Sequence, residues 1–430
     1  MEQLIENKLI RADNTFKEWK KVPFEDRQKY IAKAAGILKA NSEKYGKIIT
    51  SEMNKPISQS IAEVEKCALM MNYYADAENI LQPEKVESEY HYSEIQYVPK
   101  GVILGVMPWN FPFWQVLRFA VPAILAGNTV VLKHASICFG SGNAIEDVLL
   151  EAGFPEGVFQ NLEIGHRDVK EVLEHNAIAG VSLTGSERAG AEVASIAGQK
   201  IKKSLLELGG SDAFIVLDDA DLEEAARVGA QARLQNCGQT CVAAKRFIID
   251  EKIEDTFLPK FIEEYKKYVP ADPLDKETKI AGMARPDLAD DLEKQFRKAL
   301  EHGAEIIIPL ERISDNEFKP GLIRVQPGNP ILQEELFGPL GMVMIAKDDH
   351  DAVEIANNIP FGLSNSVWTK DSSRQLFFID NLESGTVNIN RMTSSDPRFP
   401  FGGTKTSGYG TELSLLALKE FVTPRTIVGN

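Results

Sequence analysis

Apolar positions recur every three or four residues from Asn7 to about Glu78, for example Ile31, Ala35 and Leu38, with charged residues between them. That period predicts a helical lead-in with one buried face. From Lys85 to Val98, polar residues alternate with apolar or aromatic ones. Such alternation predicts half-exposed strands suited to pairing with another subunit. Short β-rich runs follow at Val102 to Met107, Thr129 to Lys133, Val158 to Leu162 and Ala179 to Thr184, linked by helix-like Val116 to Ala126 and Asn143 to Ala152. This order predicts a parallel sheet with ligands at its carboxyl edge, where Lys133 and the turn from Gly185 to Gly190 fall. A second α/β pattern begins near Ser211 and runs past Cys241, through Ala281 to Leu310, to strands around Gly341 to Ile345 and Val387 to Asn390. The tail from Glu420 to Val428 reads as a closing strand, with Pro424 suited to a sheet edge.

Composition narrows the class. At 430 residues and 43% hydrophobic, the chain has ample core for two or three domains, and it carries no internal repeat or low-complexity tract. Its formal charge of −15 disfavours nucleic acid or an anionic membrane as partner. The longest apolar stretch, Phe111 to Ala126, is interrupted by Arg118 and Pro122, so no transmembrane helix is expected. Met1 to Lys8 lacks a basic segment followed by an apolar one, which predicts a cytoplasmic protein. The cysteines, Cys67, Cys138, Cys237 and Cys241, are too sparse for a disulfide scaffold and are expected to be reduced. Cys237 and Cys241 have no second Cys or His pair nearby, so no metal site is expected.

Three short stretches carry candidate chemistry. Cys241 ends Asn236-Cys-Gly-Gln-Thr-Cys241, a small polar turn that makes a thiol accessible, although burial as an inert side chain is the commoner fate of a cysteine. Glu207 closes the apolar run Ser204 to Leu206 and precedes Gly209 and Gly210, so it is either a solvated strand end or a base beside a backbone opening. Asn110 lies between Pro108 and Pro112, as the amide of a rigid turn or as a fixed oxyanion donor. Nucleophile, base and donor together make a kit for acyl-enzyme chemistry. The Gly185-Ser186 turn can offer backbone N–H groups to a pyrophosphate, whereas Gly140-Ser141-Gly142 reads as packing or capping.

Taken together, Met107-Pro-Trp-Asn-Phe-Pro112, Leu183-Thr-Gly-Ser186, Glu207-Leu-Gly-Gly210, Gly238-Gln-Thr-Cys241, Glu334-Glu-Leu-Phe-Gly-Pro339 and Pro400-Phe-Gly-Gly403 resemble the aldehyde dehydrogenase superfamily in order and spacing, over almost the whole chain. The amino-terminal end reads a few dozen residues shorter than is usual for that family. The resemblance implies an α/β fold: a Rossmann-like NAD(P)-binding domain at 1–82 and 99–208, a catalytic domain at 209–410, and a small β oligomerisation element at 83–98 and 411–430. It implies that Cys241 attacks the aldehyde, that the Asn110 amide and the Cys241 N–H hold the oxyanion, and that Glu207 activates water against the thioester. Cofactor contacts implied are Trp109, Lys133, Gly185, Ser186, Leu208, Glu335 and Phe337. Lys133 falls at the adenosine ribose and Glu335 at the nicotinamide ribose.

Many NAD-specific members of the family place a glutamate three residues after that lysine, and here the position is Ser136. Lys133 and Ser136 are thus free to donate to a 2′-phosphate, and NADP is expected to be accepted alongside NAD. Arg118 occupies the position at which succinate-semialdehyde dehydrogenases bind the distal carboxylate, its bland reading being a buried arginine paired with an internal carboxylate. A second arginine found in some of those enzymes is Gln235 here, leaving Ser394, Ser395 and Arg398 as candidates to complete the clamp, with Phe401 on the substrate side. The pattern is most similar to the shorter bacterial succinate-semialdehyde dehydrogenases, and homodimers or homotetramers are implied. Coenzyme A acylation is the alternative within the family, and Glu207 argues against it. A non-catalytic binding protein on the same fold and a cysteine hydrolase are alternatives from other classes.

Overall fold

A computed structural model describes residues 3–430, so Met1 and Glu2 of the amino-terminal segment lie outside the described residues. The lead-in is four helices, Gln3–Trp19, Phe24–Ala40, Ser42–Met53 and Ile57–Ala75. Ile31, Ala35 and Leu38 are buried on one face of the second, as their spacing predicts. The third ends on Asn54 at φ 59°, a left-handed cap that frees the chain to turn into the fourth.

Five parallel strands follow in chain order: Val102–Val106, Thr129–Lys133, Phe159–Asn161, Ile178–Thr184 and Lys203–Glu207. The first lies between the second and the fourth, with the third and fifth outside them and the short strand Gly408–Tyr409 added antiparallel beyond the fifth. This is the Rossmann order. Its crevice opens where the first and fourth strands diverge, at Met107 and Thr184.

After Glu207 the chain crosses through Leu208 to Ser211 and enters a seven-stranded sheet at Asp212–Val216. That strand lies between Ala244–Asp250 and Ser364–Trp368, and all pairings in the sheet are parallel except at the outer strand Glu305–Ile308. Phe214, Phe247, Phe257 and Phe261 build its core.

The alternating stretch near residues 85–98 is less continuous than its pattern predicts. Only Glu84–Lys85 and Tyr92–Pro99 are strands, paired antiparallel, and the exposed residues between them turn back on a Ser88 to Ser93 hydroxyl contact of 2.6 Å. Tyr92–Pro99 also pairs along its length with Val422–Gly429, which places Pro424 on the outer edge of a three-stranded sheet. The apolar stretch from Phe111 contains the helix Trp114–Leu125, buried on every side, which is how an all-round apolar helix of this length persists in a globular fold. Among the described residues, no helix is long and apolar enough to cross a membrane.

Candidate active site

The loop that carries Cys241 is strained and pinned from several sides. Asn236, Cys237 and Gly238 take φ of 52°, 56° and 71°, left-handed values that cost most for residues with a Cβ. At Gly238 a Cβ would lie 2.3 Å from the Gly338 carbonyl, so only glycine fits. Asn236 Nδ2 donates to the Asn110 carbonyl at 2.9 Å, and Gln239 Nε2 donates to the Asn236 carbonyl at 3.1 Å. Buried Arg233 donates to the carbonyls of Gly238, Leu336 and Gly338, which ties this loop to the Glu334–Pro339 segment.

Cys241 is half-buried and lines a cavity of about 370 Å³ together with Phe111, Gln115, Arg118, Ser395 and Phe401. Burial pushes its thiol up to about 11, while Arg118 and Lys245 pull the other way. Lys245 Nζ donates to the Thr240 carbonyl at 2.7 Å and lies 3.3 Å from Glu335 Oε1. A cation therefore sits directly beneath the Cys241 loop.

Asn110 Nδ2 donates to the Gln239 carbonyl at 3.1 Å, two residues before Cys241. An amide nitrogen carries two hydrogens, so one stays free for an oxyanion. The turn holding it is anchored by Glu63, whose Oε1 accepts from the N–H groups of Phe113 at 2.9 Å and Trp114 at 3.0 Å. A carboxylate there satisfies the first free donors of the Trp114–Leu125 helix. Glu63 is itself paired with buried Lys55, which lies over the Phe111 ring.

Glu207 ends its strand 2% exposed, not at a solvated strand end. Its Oε1 has no hydrogen-bond partner, and desolvation, with Glu412 adding to it, raises its carboxyl well above the usual range against the pull of Arg118. An unpartnered buried carboxyl is costly and marks a working site more often than a structural one. Three residues on, Gly210 packs so closely against Cys241 that a Cβ would lie 2.8 Å from its carbonyl oxygen. The turn after residue 207 and the Cys241 loop therefore meet at Gly210.

Arg118 is 2% exposed and ion-paired with Glu412, which is 1% exposed, while its guanidinium lies 4.6 Å from the Phe401 ring centroid. Both readings of this arginine hold in part: it lines the cavity and it is matched by an internal carboxylate. Ser394, Ser395 and the neutral Gln235 also line the cavity. Arg398 does not. It is expected in the carboxylate clamp, but its side chain is 69% exposed and forks onto Asp396, two residues away, so solvent and a local partner claim it instead.

At the carboxyl edge of the first sheet, Ser186 caps the helix Glu187–Gln199, whose free N–H groups favour a pyrophosphate. Gly140-Ser141-Gly142 serves packing, as read: Ser141 N donates to Glu52 at 3.1 Å, and Gly142 backs onto Asn161. Lys133 ends its strand without an ion pair among the described residues, with exposed Ser136 three residues on. Trp109 meets Phe337 edge-to-face at 5.7 Å, Leu208 is buried beside this edge, and Glu335 Oε1 accepts from Gly210 N at 3.2 Å. Thr184 Oγ1 and Glu187 Oε1 are buried without partners. Free cation, free N–H groups and unpartnered polar atoms in one crevice fit a dinucleotide.

Cys237 is buried away from this chemistry, its thiol pushed up to about 12 by desolvation. Sequence patterns gave no sign of Arg233, Lys245, Glu63, Lys66 or Glu412. The first four stand as charges within otherwise ordinary helix and strand patterns, and Glu412 follows only a Gly410-Thr411 turn.

The profile of the Aldehyde dehydrogenase family matches residues 2–427. The chain is 44% identical to the probable NADP(+) succinate-semialdehyde dehydrogenase of Synechocystis sp., over 98% of this chain and 93% of that one. It is 42% identical to the NAD(P)+ succinate semialdehyde dehydrogenase of Escherichia coli, over 98% of this chain and 92% of that one. A solved succinic semialdehyde dehydrogenase from Streptococcus pyogenes, in complex with NADP+, superposes with a TM-score of 0.96 at 38% identity, covering 100% of this chain and 96% of that one.

Proposed function

The chain belongs to the aldehyde dehydrogenase family and is an NAD(P)-dependent oxidoreductase acting on an aldehyde, and from that premise we propose that its substrate is a short ω-oxo acid, succinate semialdehyde first. The observation that carries this reading is one cavity lined by both the Cys241 thiol and the Arg118 guanidinium, with apolar Phe111 and Phe401 in its wall. A nucleophile and a cation in one small cavity suit an aldehyde at one end of a short chain and a carboxylate at the other. The succinate-semialdehyde names of the relatives above support the same class.

Cys241 gives up its proton to solvent water, and its sulfur adds to the aldehyde carbon as the carbonyl π bond breaks, giving a thiohemiacetal oxyanion. The free Asn110 N–H and the Cys241 backbone N–H hold the oxygen that becomes negative. When bound, the oxidised nicotinamide supplies positive charge and accepts the hydride. Collapse of the thiohemiacetal leaves a thioester on Cys241. Glu207, once deprotonated, takes a proton from water, and hydroxide attack releases the carboxylate product and the thiolate. A buried, unpartnered carboxyl at Glu207 suits water as acceptor rather than a thiol, which favours hydrolysis over acylation of coenzyme A.

Trp109, Lys133, Ser136, Gly185, Ser186, Leu208, Glu335 and Phe337 hold the cofactor in this reading. The open Lys133–Ser136 corner supports acceptance of NADP, and two of the relatives carry NADP in their names. The three-stranded sheet Glu84–Lys85, Tyr92–Pro99 and Val422–Gly429, with Tyr92 and Val428 exposed, supports pairing of subunits into a homodimer or homotetramer. Free cysteines throughout agree with the reducing cytoplasm. The test is an aldehyde panel read by nicotinamide absorbance with NAD+ and NADP+ in parallel. A wild-type preference for unbranched alkanals over ω-oxo acids of equal length would remove the substrate assignment.

A further inference from the structure

The charges around the cavity do not cancel. Arg118 is offset by Glu412, and Glu63 by Lys55. Asp396, the nearest acidic residue of the 394–396 loop, is engaged by Arg398. Glu207 is pushed toward its neutral form by burial. Lys66, on the helix Ile57–Ala75, lines the same cavity and makes no ion pair among the described residues. Its Nζ donates to Ser395 Oγ at 2.9 Å and lies 4.2 Å from the centroid of the Trp114 ring.

We propose that Lys66, held by Ser395 and Trp114, is a specificity-determining contact for the distal carboxylate of the substrate, supplying the net positive charge that the paired Arg118 does not. This rests on the ω-oxo acid reading and deepens it. A half-buried ammonium without a counter-ion is unfavourable until an anion arrives, so the cavity discriminates for a carboxylate rather than merely admitting one. The Trp114 face and the Ser395 hydroxyl fix the side chain in advance, which lowers the entropy lost on binding. Neutral Gln235 leaves the role of second cation to Lys66.

Burial first, and then the Arg118 guanidinium, hold the Lys66 ammonium down to about 8, against the smaller opposing pull of Cys67, Glu63 and Asp396. A lowered lysine loses its charge earlier as pH rises. Discrimination for the carboxylate therefore falls as pH passes that value.

The test measures kcat/KM for succinate semialdehyde and glutarate semialdehyde against butanal and pentanal, in wild type, Lys66→Met and Lys66→Arg. Wild type alone decides the substrate class, and the change between wild type and Lys66→Met decides the role of Lys66. The expected result is a fall of about tenfold or more in the ratio of oxo acid to alkanal for Lys66→Met, the size of one lost charge-assisted hydrogen bond. The ratio recovers in Lys66→Arg, and its decline above pH 8 is seen in wild type and absent from Lys66→Met. An unchanged ratio in Lys66→Met, with wild type still preferring oxo acids, overturns the proposal and leaves the substrate class standing.

Discussion

Arg118 and Glu412 form an ion pair in which the side chains are 2% and 1% exposed, so each is the other's answer to burial. Removing one partner strands the other charge. Glu412→Ala is expected to destabilise the fold by about 3–5 kcal/mol, visible as a lowered thermal midpoint. A double variant, Arg118→Leu with Glu412→Leu, is expected to recover a large part of that loss. A double variant no more stable than Glu412→Ala would show that the pair is not coupled.

The same pair determines how Arg118→Ala must be read. That variant is expected to raise KM for succinate semialdehyde more than for butanal. It also unbalances Glu412, whose carboxyl burial already raises. Comparison with the double variant separates lost substrate contact from lost stability. Equal effects on both aldehydes in the stable double variant would remove Arg118 from substrate recognition.

Asn110→Ala is expected to lower kcat on the order of a hundredfold or more through the lost oxyanion donor. Because Asn110 also donates to the Gln239 carbonyl, a modest drop in thermal stability is expected alongside it. Turnover near wild type would exclude this amide from the reaction.

Glu207→Gln is expected to permit a burst of reduced nicotinamide and then to stall as the thioester on Cys241, detectable by mass spectrometry of the intact protein. In wild type, burial raises the Glu207 carboxyl, so its basic form grows as pH climbs through that raised value. Thioester hydrolysis should therefore speed up as pH rises through that value while the burst amplitude is retained. Steady-state turnover in Glu207→Gln at the wild-type rate would assign the base elsewhere.

Ser136→Glu places a carboxylate three residues after Lys133, where it would repel a 2′-phosphate. The expected outcome is a fall of about tenfold or more in kcat/KM for NADP+ relative to NAD+, the scale of a lost charge-assisted contact. An unaltered ratio would move the phosphate contact away from this corner.

Much of the site is legible in the chain because its parts are local. The nucleophile turn, the Pro-Trp-Asn-Phe-Pro turn and the strand-to-glycine junction at Glu207 each need their own neighbours, so the residues stand together in sequence. Arg398 misled for a related reason: a basic residue in the right loop says nothing of its direction, and a carboxylate two residues away captured it. Lys85 to Val98 misled because alternation does not reveal where a strand turns back, which here falls among exposed residues with no core to hold them extended.

Periodicity and strand–helix alternation, which depend on backbone geometry alone, determined the α/β class, the lead-in helices and the carboxyl edge where a nucleotide belongs. Short motifs determined which cysteine, glutamate and asparagine could carry chemistry. Only the tertiary structure decided how charges balance: that Glu412 answers Arg118 across 294 positions of chain, that Glu63 caps a distant helix, and that Lys66 is left facing the cavity alone. Burial removes water as a partner for every charge, and which groups replace it is settled by contacts that no local pattern encodes.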